Sequence, residues 1–135
     1  MPLSEPNDTR PRILLVDDEP ELVDAYVRLL GRSGFECRGA LDLERANSLL
    51  ESGQYDLMIT DLSMPRSSGL DIIRRAQRRI PLVPVIVMTG HSTPDSARAA
   101  EEAGADACLL KPVSIAELVR VIHETLARHS ERSIN

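Results

Sequence analysis

The sequence has no tryptophan, one phenylalanine and two tyrosines. An interior this poor in rings has to be assembled from Leu, Ile, Val and Ala, and the 42% hydrophobic share is ordinary for a globular chain. Cysteine is equally scarce. Cys37 and Cys108 stand alone with no Cys-x-x-C, so neither a disulfide framework nor a thiolate metal site is encoded. No apolar run is long enough to span a membrane, and the longest, over residues 82–88, is interrupted by Pro84. The N-terminus lacks the basic-then-apolar pattern of a secretion signal, so the cytosol is the expected location and no membrane partner is expected. Positive charge is in deficit too: the net charge of −5 speaks against nonspecific nucleic-acid binding, and no direct nucleic-acid contact is expected.

What remains fits one domain. A chain of 135 residues can bury a core without disulfides or a structural metal. Residues 1–11 are polar with three prolines and read as a flexible tail, residues 12–129 as the domain, and residues 130–135 as a short C-terminal tail. Within the domain two periodicities alternate. Residues 13–16 are continuously apolar, as in a strand buried on both faces. Residues 20–32 carry Leu22, Val23, Tyr26, Val27 and Leu30 at helical spacing, with Gly34 as the stop. A second strand is predicted over 35–38. A helix capped by Asp42 follows, through Leu43, Ala46, Leu49 and Leu50, ending at Gly53. The third strand is 57–60. A loop with Pro65 and Gly69 leads to a helix around 70–79. Residues 83–88 form a fourth strand. Thr93 and Pro94 open a helix to about Ala103, stopped by Gly104. Residues 107–110 form the fifth strand, and Ser114 with Glu117 suggests a capping box for a last helix. Five β-α repeats predict an α/β domain: a parallel sheet with helices on both faces.

Ligand sites of such sheets lie beyond the carboxyl ends of the strands. Asp17, Asp18 and Glu19 follow the first strand, Asp61 the third, Thr89, Gly90 and His91 the fourth, and Lys111 and Pro112 the fifth. Acids, a hydroxyl and one ammonium therefore share a rim. Crowded carboxylates repel, and a hard cation relieves them. Mg²⁺ is held by one or two carboxylates plus a phosphate and keeps several waters, which suits Asp18 and Asp61. Asp61 is already an anion and needs no base to act as a nucleophile. Phosphoryl transfer is mostly positioning and charge stabilisation, which Lys111 and Thr89 can supply.

The segments ILLVDDEP, LMITDLSMP, VIVMTGH and GADACLLKPV, in this order, resemble the four landmark segments of receiver domains of bacterial two-component response regulators, the CheY-like fold. The resemblance covers about residues 12–129. It implies a doubly wound, flavodoxin-like (βα)5 domain of strand order 2-1-3-4-5. It implies phosphorylation of Asp61 by a sensor histidine kinase or histidine phosphotransfer protein, followed by binding of an unidentified downstream protein. Mg²⁺, or Mn²⁺ in its place, would be bound by Asp18, Asp61 and the Ser63 backbone carbonyl, with Asp17 acting through a water. Lys111 would pair with phosphoryl oxygens, Thr89 would move toward them, and the Lys111–Pro112 peptide would be cis. Leu22, Ala25, Pro112 and Val113 would dock the donor. Cys108 stands at the switch position where the family usually has Tyr or Phe. On that strand order the two cysteines lie on opposite edges of the sheet, roughly 19 Å apart, beyond disulfide reach.

Plainer roles compete. Asp17 and Asp18 could simply favour a helix N-terminus, and the arginines at 74, 75, 78 and 79 could be a solvated face complementing a helix C-terminus. His91, His123 and His129 read as exposed structural residues, and Cys108 as a small buried hydrophobe. Two other functions are open. The chain could be a receiver fragment of a longer transcriptional regulator. A Mg²⁺-dependent aspartyl-phosphate phosphatase would want Asp-x-Asp after a strand, but Ser63 stands two residues after Asp61. A receiver working as a docking module without phosphorylation is disfavoured by the complete set of site residues.

Overall fold

The computed structural model describes residues 9–64 and 67–134. The expected tail over 1–11 lies outside the described residues as far as residue 8, as do Pro65 of the expected loop and Asn135. The elements, in order, are β1 (Arg12–Val16), α1 (Pro20–Arg32), β2 (Glu36–Ala40), α2 (Leu43–Ser52), β3 (Leu57–Thr60), β4 (Ser63–Met64), β5 (Ser67–Ser68), α3 (Gly69–Arg78), β6 (Val85–Thr89), α4 (Pro94–Ala103), β7 (Ala107–Leu110) and α5 (Ile115–Ile134). One parallel five-stranded sheet runs β2-β1-β3-β6-β7. Counting only its own strands, that is the expected order 2-1-3-4-5.

Burial tracks position in the sheet. The central strands β1, β3 and β6 are buried almost throughout, whereas the edges β2 and β7 are partly exposed. Side chains alternate across a strand, so each central strand feeds two cores. Leu14, Val16, Met58, Val85 and Val87 meet Ala46, Leu49, Leu50, Ile72, Ile73, Ala76 and Ala100 from α2, α3 and α4. Ile13, Leu15, Leu57, Ile59, Ile86 and Met88 meet Val23, Leu30, Leu118, Val121 and Ile122 from α1 and α5. Each large aliphatic buried this way contributes about 1.5–3 kcal/mol.

The helix signals act as their chemistry requires. Asp42 accepts from the Arg45 N–H at 2.7 Å. Thr93 and Ser96 form a reciprocal capping box with Pro94 in the first turn. Ser114 Oγ accepts from the Glu117 N–H at 3.1 Å. Gly104 ends α4 at φ 119°, a left-handed conformation that favours glycine.

Several expectations are corrected. The second strand starts one residue later than expected and reaches Ala40, because its backbone continues pairing with β1 through Val16. The fourth strand runs from Val85 to Thr89, since Pro84 lacks an N–H for the ladder. The segment read as a loop before α3 contains a short antiparallel pair, Ser63 with Ser68 and Met64 with Ser67. The last helix continues to Ile134, through residues read as a tail. Among the described residues two X-Pro bonds are cis, the expected Lys111–Pro112 and also Ile80–Pro81.

Candidate functional site

The ladder hydrogen bonds continue one residue past the strand ends and fix three site residues by their backbones. Asp17 N–H donates to Ala40 O (3.1 Å), Asp61 N–H to Val16 O (3.2 Å) and Lys111 N–H to Thr89 O (2.8 Å). The close start of α3 shapes the loop beyond Asp61. A Cβ on Gly69 would sit 2.6 Å from Asp61 O and 2.8 Å from Leu62 Cα, so only glycine fits there.

The side chains converge on one ammonium. Lys111 Nζ donates to Asp17 Oδ2 at 2.7 Å, Asp61 Oδ2 at 2.9 Å and Glu19 Oε1 at 3.3 Å. Asp17 and Asp61 are 1% and 5% exposed, so these charges are paired largely out of water. The second oxygen of each takes a backbone N–H: Asp17 Oδ1 from Glu19 (3.1 Å) and Asp61 Oδ1 from Ser63 (2.9 Å). Burial pushes the Asp17 carboxyl above the usual carboxylate range. The bonds from Lys111 and Glu19 oppose this, and the Asp61 charge adds to it. Burial alone would lower Lys111, but its bonds and attraction to Asp17 and Asp61 outweigh that and hold its ammonium above the ordinary lysine range.

Asp17, Asp61 and Lys111 are thus brought together, joined by Glu19, to which sequence reading assigned no role. Its only signal was its place two residues after Asp17. Asp18 is exposed beside the cluster. Thr89 is fully buried, and its hydroxyl is bonded within its own loop, donating to His91 O (3.2 Å) and accepting from His91 N–H (3.4 Å). Of the expected docking residues, Leu22 and Ala25 are half-buried and Pro112 is exposed. The Val113 side chain is 4% exposed, packed into the core with α1 and α5. The Val113 carbonyl accepts from the Tyr26 hydroxyl at 2.6 Å, a tie between α1 and the Lys111 loop that the helical spacing of Tyr26 did not reveal.

Cys108 is exposed on the edge strand β7, which corrects its reading as a buried hydrophobe. Desolvation raises its thiol pKa and a bond with Ser92 opposes this. Cys37, on the opposite edge strand, is pushed up to about 12 by burial. His129 is not an exposed residue either. It is half-buried, with Nε2 2.8 Å from Asp106 Oδ1.

The donors at the rim are carboxylates and backbone carbonyls, the hard oxygens that Mg²⁺ prefers. No group of three His, Cys, Asp or Glu forms a ready metal cage among the described residues. A cation that keeps most of its waters does not need one. Asp17 and Asp61 are 1% and 5% exposed, Asp18 stands exposed beside them, and a single ammonium serves this group of carboxylates, so the residues present fit a hydrated cation.

The response regulator receiver domain family model matches residues 13–123. The chain belongs to that family, the receiver domains of two-component response regulators. It is 36% identical over 118 residues to the response regulator protein PilR of Pseudomonas aeruginosa, covering 87% of this chain and 26% of PilR. It is 35% identical over 120 residues to the transcriptional regulatory protein PrrA of Mycobacterium tuberculosis, covering 89% and 52%. The chain therefore spans about a quarter to a half of the curated relatives it matches. The receiver domain of a Clostridium thermocellum response regulator superposes with TM-score 0.80 at 34% identity, covering 89% and 97%. A CheY-like receiver domain from Methanospirillum hungatei does so with TM-score 0.87 at 27% identity, covering 92% and 99%. Receiver domains of this family interact with sensor kinases and generally bind Mg²⁺ at the acidic pocket. No helix among the described residues is long and apolar enough to cross a membrane.

Proposed function

We propose that Asp61 accepts a phosphoryl group from a phosphohistidine donor, a sensor histidine kinase or a histidine phosphotransfer protein, and that the modified domain binds a downstream protein. The observation that carries this is the single Lys111 ammonium within hydrogen-bond distance of both Asp17 and Asp61 at the carboxyl end of the sheet. An Asp61 carboxylate oxygen attacks phosphorus as the P–N bond breaks. The donor imidazole keeps the bonding pair and takes a proton from solvent. Lys111 offsets part of the carboxylates' charge and would meet the charge that grows on the phosphoryl oxygens. Asp18, Asp61 and the Ser63 carbonyl would hold Mg²⁺, with Asp17 through a water; when bound it supplies positive charge against those oxygens. Thr89 is the last residue of β6, and turning its hydroxyl away from His91 toward the phosphoryl group would rearrange the loop that carries His91. Leu22, Ala25 and Pro112 would meet the donor. In this reading the domain assists its own phosphorylation and dephosphorylation without turning over a substrate.

A profile of phosphotransfer against the host's histidine kinases tests the reading. One kinase should label the chain far faster than the others, and label should disappear in Asp61→Asn. Turnover of a phosphate ester through many cycles would favour the phosphatase instead. A second reading, a receiver portion of a longer transcriptional regulator, draws on the 26% and 52% of PilR and PrrA that the chain covers.

A further inference from the structure

Glu19 stands at the N-cap of α1, where the ordinary task of a polar side chain is to accept from the helix's first N–H groups. Its side chain makes no such bond. Its own N–H donates to Asp17 Oδ1 at 3.1 Å, which ties the residue to the site, and its Oε1 lies 3.3 Å from Lys111 Nζ. Capping therefore does not account for where this side chain goes.

An ammonium has three N–H donors. Asp17, Asp61 and Glu19 supply three carboxylates, so each donor of Lys111 has an acceptor. The three bonds are unequal. Those to Asp17 and Asp61, 2.7 and 2.9 Å long, reach carboxylates buried from water, and breaking either leaves a buried charge uncompensated. The Glu19 bond is the longest, and its side chain is 62% exposed, so water replaces Lys111 there at little cost.

We propose that Glu19 is a positioning residue acting through Lys111: its carboxylate holds the solvent-side N–H as a stand-in for a phosphoryl oxygen and yields it when a donor arrives. This rests on the reading of Asp61 as the acceptor and adds a brake to it. A phosphoryl donor enters from solvent, where Glu19 stands, and is itself an anion. It meets Glu19 as a like charge and as a competitor for Lys111. Removing the carboxylate therefore speeds phosphorylation, the opposite of losing a supporting contact.

The test is the second-order rate constant for phosphorylation of the full chain at saturating Mg²⁺ and fixed ionic strength, with acetyl phosphate and with phosphoramidate. Glu19→Gln should be labelled about three- to tenfold faster by acetyl phosphate, the size expected when one like charge a few ångströms away is removed near the surface. The gain should be smaller with phosphoramidate, whose leaving nitrogen carries a compensating positive charge. Glu19→Asp keeps the charge but is one methylene short of Lys111, and should show part of the gain. The urea midpoint of Glu19→Gln and its rise in melting temperature with Mg²⁺ should stay near those of the wild type. A Glu19→Gln rate equal to or below wild type would overturn the proposal. So would a Glu19→Asp rate no faster than wild type, which would leave only a general charge effect, or loss of the Mg²⁺ response in Glu19→Gln, which would make Glu19 a metal ligand. Failure of the Asp61 reading looks different: a wild type that neither donor labels, or label that survives Asp61→Asn, would remove both.

Discussion

Acids stand at both ends of the sheet, and the two ends use them differently. At the amino end Asp56 and Asp106 serve backbone groups. Asp56 Oδ2 accepts from Arg12 N–H at 2.7 Å, and Asp106 Oδ2 from Val85 N–H at 3.1 Å, so the opening residues of β1 and β6 are satisfied locally. Arg12 also lies 3.7 Å from Glu36, and His129 Nε2 lies 2.8 Å from Asp106 Oδ1. At the carboxyl end the acids are gathered: Asp17, Glu19 and Asp61 share Lys111. The first arrangement distributes charge and stabilises strand starts. The second concentrates charge out of water, and the raised pKa of Asp17 is the sign that it is held against its own preference. Concentrated charge of this kind suits a site awaiting a cation and a phosphoryl group.

The contrast breaks most visibly at Lys111. Lys111→Met should slow phosphorylation of the chain by about 10²–10³-fold in a stopped-flow or quench assay. The same change leaves two buried carboxylates uncompensated and should cost about 3–5 kcal/mol by urea denaturation. It should also alter the alkaline limb of stability. A lysine held above its unfolded value near 10.5 stabilises fully below that pH and loses the contribution as pH rises through the higher folded value. The wild-type urea midpoint should therefore fall above about pH 10.5 by more than that of Lys111→Met.

Smaller and opposite in sign is Asp17→Asn. With its folded pKa raised, Asp17 favours the native state when protonated, and that contribution is lost as pH rises from 3.8 through the folded value. Removing the ionised form should stabilise the metal-free chain by about 1–2 kcal/mol at neutral pH. The rise in melting temperature on adding Mg²⁺, expected of the wild type, should shrink or vanish. Differential scanning fluorimetry with and without the ion reads both. At the amino end, His129→Leu should cost about 1–2 kcal/mol by loss of the bond to Asp106 and leave the phosphorylation rate unchanged. A large rate effect there would erase the distinction between the two ends.

The fold and the location of the site were legible because both rest on local chemistry. Continuous apolar runs mark the central strands, glycine and Asp42, Thr93 and Ser114 mark the helix ends, and the residue after each strand lands on the rim. The partners were less legible. That Glu19 reaches Lys111, that Tyr26 bonds the Val113 carbonyl and that His129 meets Asp106 are facts about residues 23 to 92 positions from one another. Packing sets such pairs, and spacing along the chain does not announce them. Val113 and Cys108 show the same limit in reverse. The family resemblance suggested a docking role for Val113 and the usual habit of a free cysteine suggested a buried thiol, whereas packing puts the Val113 side chain in the core and leaves Cys108 exposed on the edge strand β7.

The central claim is that the gathered acids make Asp61 the acceptor. Peptide mapping by mass spectrometry, after incubation with a small acyl phosphate and Mg²⁺, tests it most directly. Modification should be found on the peptide carrying Asp61, require Mg²⁺, and be absent from Asp61→Asn. Modification that persists unchanged in Asp61→Asn, or that maps to Asp17, Asp18 or the amino-end acids, would contradict it.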